Sequence, residues 1–174
     1  DEFEFGVLGY EPSDDIHIQA SQMIDGFRSI EFKDESEKDY YERFEKWNGA
    51  IGERQLEWLG ENLAECKINN KKVLLCGHIP LLKESADNSV VWNSEDILEL
   101  IWSYKNMVIA YVCGHFHKGG YFKDHKNIHH ITLPAILETN PSNGENSFMT
   151  GFVYEDKFIL KHSSKDQFNF TVNF

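Results

Sequence analysis

Two separate apolar runs in this chain end in the same triplet. Lys72-Val73-Leu74-Leu75-Cys76-Gly77-His78-Ile79-Pro80 and Met107-Val108-Ile109-Ala110-Tyr111-Val112-Cys113-Gly114-His115-Phe116-His117 each close on Cys-Gly-His. An unbroken apolar run of this kind reads as a strand buried on both faces by its neighbours. The glycine after it permits a tight turn and a close backbone approach. Open α/β sheets hold their ligands at the carboxyl ends of strands. The pattern therefore predicts a layered α/β sheet in which two strand ends bring three imidazoles, His78, His115 and His117, to one edge. Neutral imidazole is a common ligand of divalent transition metals. A lone Gly-His pair reads more readily as a plain turn; two pairs, one of them His-x-His, favour a metal site.

The rest of the chain arranges itself around these runs. Asn93 or Ser94 can cap a helix that carries Ile97, Leu98, Leu100 and Ile101 inward and ends at Lys105-Asn106. Strand, helix, strand in this order predicts a βαβ unit. Upstream, Leu56, Leu59 and Leu63 recur at helical spacing, with Trp58 adding apolar area and Glu53 complementing the helix dipole in the first turn. Asn48, between Trp47 and Gly49, reads either as the lining of a pocket or as a turn cap. Phe3 to Leu8 reads as a short strand. Ile16 to Lys46 reads as loop and irregular helix, with Asp34-Glu35-Ser36-Glu37 on a solvated surface.

Downstream of the motif, Asp124 sits in a polar stretch and reads as solvated. Ile128 to Leu133 alternates like a strand. Met149 to Tyr154 and Phe158 to His162 flank Glu155-Asp156-Lys157 as a hairpin, and Phe168, Phe170, Val172 and Phe174 suggest a final strand. One of His129 and His130 should face inward as a satisfied core histidine. Glu138 reads as a residue that orients a ligand or substrate, or caps a turn. His17, His125 and His162 receive no role.

At 174 residues the chain fits one domain, and a hydrophobic fraction of 41% with 14% aromatics is enough for a real core. A net charge of −12 argues against nucleic acid or an anionic membrane surface as partner. It leaves a small anionic substrate open, because a divalent metal supplies the positive charge the chain lacks. Cys66, Cys76 and Cys113 are odd in number and read as small buried residues in a reducing, cytoplasmic setting, without a disulfide framework. No apolar run approaches the roughly 18 residues of a membrane span.

At Gly77-His78 and Gly114-His115-Phe116-His117 the sequence resembles the calcineurin-like metallophosphoesterases. The longer run Gly114-His115-Phe116-His117-Lys118-Gly119-Gly120-Tyr121, with His129-His130-Ile131-Thr132-Leu133 and Glu138-Thr139, is similar to the manganese-dependent ADP-ribose/CDP-alcohol diphosphatases. Trp47-Asn48-Gly49, Gln55-Leu56-Glu57-Trp58-Leu59, Ala86-Asp87-Asn88 and Trp92-Asn93 fit the same group. The resemblance implies a layered αββα sandwich. It implies metal-dependent hydrolysis of phosphoanhydrides in nucleotide diphosphate compounds such as ADP-ribose or CDP-alcohols. Two divalent ions are implied, manganese first, with iron or zinc as alternatives. His78 and His115 would bind one ion and His117 the other. Water activated by the ions would attack phosphorus. Asn48, Gly119, Gly120 and Tyr121 are expected to line the substrate site, the glycines through backbone donors and the tyrosine through its ring.

The family's Gly-Asp and Gly-Asn-His-Glu-like motifs are absent. Residues 1–174 are therefore expected to be the carboxyl-terminal part of a single metallophosphoesterase domain. The catalytic residues are unknown and expected in a missing amino-terminal half, or on a partner chain. Such a half should expose strand edges and an apolar face. The alternative is a non-catalytic binding module of the same fold with a vestigial or single-metal site. A structural zinc site is a weaker third reading, since no C-x-x-C spacing accompanies the histidines.

Overall fold

The computed structural model describes residues 22–174 apart from 28, 139, 144, 145 and 147. The strand expected at Phe3 to Leu8, and His17, lie outside the described residues. Four strands form the first sheet: β1 (Val73–Cys76), β2 (Val108–Cys113), β3 (Gly120–Lys123) and β4 (His129–Thr132), in the spatial order β1-β2-β4-β3. β2 is parallel to both β1 and β4, and β3 returns antiparallel to β4. β5 (Met149–Val153), β6 (Lys157–His162) and β7 (Phe170–Asn173) form a second, antiparallel sheet. Helices include α1 (Glu35–Tyr41), α2 (Glu53–Ile68) and α3 (Ser94–Ser103).

Two apolar clusters bind these parts into layers. In the first, Leu63 of α2 and Ile97, Leu98 and Ile101 of α3 meet Val108, Tyr111 and Cys113 of β2. In the second, Ile131 of β4 meets Phe158, Leu160 and Val172 of the second sheet, flanked by Leu74, Ile109 and Val112. Val108, Tyr111 and Cys113 of β2 thus enter one cluster and Ile109 and Val112 the other, the alternation slipping by one residue where the β1–β2 register shifts. The order is helices, sheet, sheet, three of the four layers of the αββα sandwich that the resemblance implied. The βαβ unit, the hairpin of β5 and β6, and the last strand all appear where the residue pattern puts them. The last strand starts later than Phe168, which belongs to a 3-10 turn at Asp166–Phe168.

Three local readings are corrected. β1 is not buried on both faces: it pairs with β2 alone among the described residues, and its four residues are half-buried or exposed. Its composition suits a central strand, but its place at the edge does not. Asn93 precedes α3 without capping it. Its Oδ1 accepts from Ile51 N–H at 3.1 Å and its Nδ2 donates to Ile51 O at 3.0 Å, so it ties α3 to the loop before α2. The acidic block at Asp34 is exposed as expected, but it opens a regular helix rather than an irregular one. Asp34 Oδ1 accepts from Ser36 N–H and Glu37 N–H, both at 3.0 Å, as an N-cap does.

The fourth correction concerns Asp124, which is 5% exposed rather than solvated. It sits in the turn joining β3 to β4. Its Oδ1 accepts from Lys126 N–H at 2.8 Å and Ile128 N–H at 2.9 Å. Its Oδ2 accepts from Trp102 Nε1–H at 2.8 Å and bonds His130 Nε2 at 3.0 Å. His130 is the inward member of its pair, 1% exposed. Its Nδ1 finds no hydrogen-bond partner among the described residues, so it is less completely satisfied than a core histidine usually is.

A pH dependence follows. Burial pushes the His130 pKa below its ordinary value, against the pull of Asp124. For Asp124, burial pushes upward, but the donors from His130, Trp102, Ile128 and Lys126 together hold it below the carboxylate range. Both groups have folded pKa values below their unfolded ones. Their stability is therefore present above about pH 6.5 for His130 and above about 3.8 for Asp124. It is lost as pH falls toward each folded pKa. Thermal melts between pH 7.5 and 5 should show the melting temperature falling with pH, and His130→Gln should flatten that slope.

Candidate metal centre

Adjacent parallel strands deliver the histidines. Gly77 N–H continues the ladder past β1 by donating to Val112 O at 3.0 Å. Gly114 N–H donates to His78 O at 3.0 Å, which fastens the turn after β2 to the turn after β1. The result is a T-shaped pair: the His78 and His115 rings are 5.2 Å apart between centroids, with planes at 70°. Residue identity at the first turn is set by space. A Cβ on Gly77 would lie 1.9 Å from the Tyr111 hydroxyl oxygen. That hydroxyl is fixed, donating to Ile79 O at 2.7 Å. Gly77→Ala should therefore cost about 1–3 kcal/mol by overpacking. A guanidinium titration of the variant checks this, and an unchanged midpoint would refute the account of that turn.

His115 adopts φ 65°, in the left-handed region that a non-glycine residue occupies only when its surroundings hold it. What holds it is Asn48. This asparagine is 4% exposed, and its Oδ1 lies 2.9 Å from His115 Nε2. Its Nδ2 donates to Arg43 O at 2.8 Å and Asn88 O at 2.9 Å. Arg43 is itself anchored, its Nη1 2.5 Å from Glu95 Oε1 and 3.1 Å from Ser94 Oγ at the start of α3. Partial burial, then the neighbouring His78 and His117, push the His115 pKa down. Its ring is thereby kept neutral near pH 7, the form that offers a lone pair to a cation.

His117 is exposed at the rim, its Nδ1 3.5 Å from Glu138 Oε1. Both side chains are about half exposed. The structure brings the His78 and His115 rings together and bonds His115 to Asn48, while His117 stands exposed near Glu138. These donors suit a borderline divalent ion such as manganese, iron or zinc, which fits the group the resemblance implies. Among the described residues, however, no group of three or more His, Cys, Asp or Glu side chains is placed to hold a metal ion. The chain's one Asp-x-His triplet, Asp15-Ile16-His17, lies outside the described residues.

The other expected site residues stand differently. Gly119 N–H donates to Phe116 O at 2.9 Å, and Gly120 pairs with Thr132 in the sheet, so both are engaged within the chain. Their lack of a side chain has a packing reason. A Cβ on Gly120 would lie 2.1 Å from Ser85 O, and one on Gly119 2.9 Å from the Phe168 ring. Tyr121 is exposed, stacked on Phe170 with centroids 5.1 Å apart, and its hydroxyl meets His129 Nδ1 at 3.0 Å. Of the cysteines, Cys113 is buried, its thiol pushed up to about 12 by burial, while Cys76 is exposed on the edge strand, unlike the buried residue expected. A groove of about 420 Å³ runs along β1 and α2, lined by Ile51, Leu59, Leu63, Leu74 and Cys76, and reaches His78. No described helix is long and apolar enough to cross a membrane.

No protein-family model matches the chain. It is 34% identical over 166 residues to the manganese-dependent ADP-ribose/CDP-alcohol diphosphatase of Mus musculus, a match covering 92% of this chain and 47% of the relative. The protein of that name from Arabidopsis thaliana is 37% identical over 131 residues, covering 75% and 41%. The Homo sapiens protein is 31% identical over 162 residues, covering 92% and 46%. The chain spans about half the length of these curated relatives. In three dimensions it matches a dimetal phosphatase from Danio rerio with TM-score 0.81 and 26% identity, over 97% of this chain and 54% of that one.

Proposed function

We propose that this chain, related in sequence to the manganese-dependent ADP-ribose/CDP-alcohol diphosphatases and sharing a dimetal phosphatase's fold, supplies the histidine-bearing, carboxyl-terminal half of such a hydrolase. The substrates would be nucleotide diphosphate compounds of the ADP-ribose or CDP-alcohol kind. The observation that carries the proposal is the pairing of His78 and His115 at the ends of two adjacent parallel strands. His78 and His115 would hold one divalent ion, manganese first, and His117 the other. Bound divalent ions activate water for attack on phosphorus and offset charge on the phosphoryl oxygens. The chain's own residues orient the donors. Asn48 holds His115, Glu138 stands near His117, and the Gly77 and Gly114 turns fix the spacing of His78 and His115. Tyr121, exposed and stacked on Phe170, would offer its ring to the substrate.

A two-ion centre needs a bridging ligand, which none of the three imidazoles provides. That ligand would come from the remaining half of the domain or from a partner chain. The open edge of β1 and the apolar groove beside α2 support this reading, since both suit cover by further strands. The alternative, a binding module with one metal, is favoured by the incomplete ligand set among the described residues.

The test is release of AMP from ADP-ribose by the full-length protein, with MnCl2 or with chelator, beside His117→Ala. Manganese-dependent turnover that the substitution abolishes is expected. A folded protein that binds manganese without turnover would favour the binding module.

A further inference from the structure

The amide of Asn48 has one orientation open to it. Its Nδ2 donates to two backbone carbonyls, Arg43 O at 2.8 Å and Asn88 O at 2.9 Å. Turning the amide over would place an oxygen against both carbonyl oxygens in a site with almost no solvent. The atom 2.9 Å from His115 Nε2 is therefore Oδ1, which only accepts. Nε2 must then carry the proton, and in a neutral imidazole that leaves Nδ1 with its lone pair free. The geometry points to Asn48 as the positioning residue that selects the His115 tautomer and presents Nδ1 to a divalent cation. This rests on the reading of His115 as a metal donor.

The surroundings suit a constraint rather than a filler. Asn48 is nearly inaccessible, and both carbonyls it binds belong to anchored residues. Arg43 is tied to Ser94 and Glu95 of α3, and Asn88 Nδ2 donates to Glu42 Oε2. The backbone of His115, in the left-handed region, fixes the base of the ring while Asn48 fixes its far nitrogen. Histidine ligands commonly lodge their second nitrogen against a buried acceptor, which sets both tautomer and ring angle. A side-chain amide takes the role here. It was legible in the sequence only as a polar residue between Trp47 and Gly49.

The decisive spectrum is a long-range 1H–15N correlation of the metal-free full-length protein labelled with 15N-histidine, at pH 8. The His115 signals are assigned by their loss in His115→Ala. The expected result is a proton on Nε2 and none on Nδ1. In Asn48→Ala the two tautomers should mix, and the dissociation constant for Mn2+ alone, from calorimetry, should rise about tenfold to a hundredfold. A proton on Nδ1 of His115 in the wild type overturns the inference, and this reading stands even if Asn48→Ala fails to fold. A folded Asn48→Ala that keeps the Nε2 proton and its Mn2+ affinity overturns it too. A wild type that shows the Nε2 proton but binds no Mn2+ overturns the metal reading instead, so the two failures are distinguishable.

Discussion

Asp124→Ala is expected to lower stability by about 3–5 kcal/mol, a large share of the 5–15 kcal/mol that holds a typical domain together. The substitution strips four donors at once: the Lys126 and Ile128 amides, the Trp102 indole and His130 Nε2. The turn between β3 and β4 loses the carboxylate that closes it, and α3 loses its polar tie to β4. His130, 1% exposed, would be left with neither ring nitrogen bonded. Asp124→Asn keeps one acceptor and offers the turn amides the same contacts, so it should cost less, about 1–3 kcal/mol. Guanidinium unfolding of both variants measures the difference. If alanine and asparagine prove equally mild, the buried pair is not a fastening of the fold.

His115→Ala and His78→Ala are expected to reduce manganese-dependent hydrolysis by more than about a hundredfold each. Residues that merely orient a metal ligand are worth tenfold to a hundredfold, and a ligand should exceed its supporters. The double variant should be scarcely worse than either single one, because groups that act as a unit are not additive. Neither substitution should unfold the chain. His78 is exposed and His115 only half-buried, and neither is among the residues of the two apolar clusters. Steady-state rates with folded variants check this. Retained activity in His78→Ala would remove it from the centre.

The parts of the fold that were legible in the sequence are those governed by local pattern. The apolar runs of β1 and β2, with α3 between them, spell a parallel βαβ unit, and the polar Glu155-Asp156-Lys157 between two apolar stretches marks the hairpin of β5 and β6. The paired Gly-His turns were legible because glycine has a steric reason at Gly77 and imidazole a chemical one at His78 and His115. What was hidden depends on who sits opposite. β1 reads as a central strand, since its residues do not record that one flank lacks a partner among the described residues. Asp124 reads as a loop carboxylate, since its donors come from Trp102 on α3 and His130 on β4. The Asn48–His115 contact spans 67 residues of sequence and has no periodicity to betray it. Gly119 and Gly120, expected as backbone donors for a ligand, also have a packing reason for lacking a side chain, against Phe168 and Ser85, which no local pattern records.

The most direct test is a calorimetric titration of Mn2+ into the metal-free full-length protein, compared with His78→Ala, His115→Ala and His117→Ala, each shown to be folded. Saturable binding by the wild type that each substitution weakens or removes is the predicted result. Identical binding by all four proteins would contradict the assignment of these strand-end histidines as a metal centre.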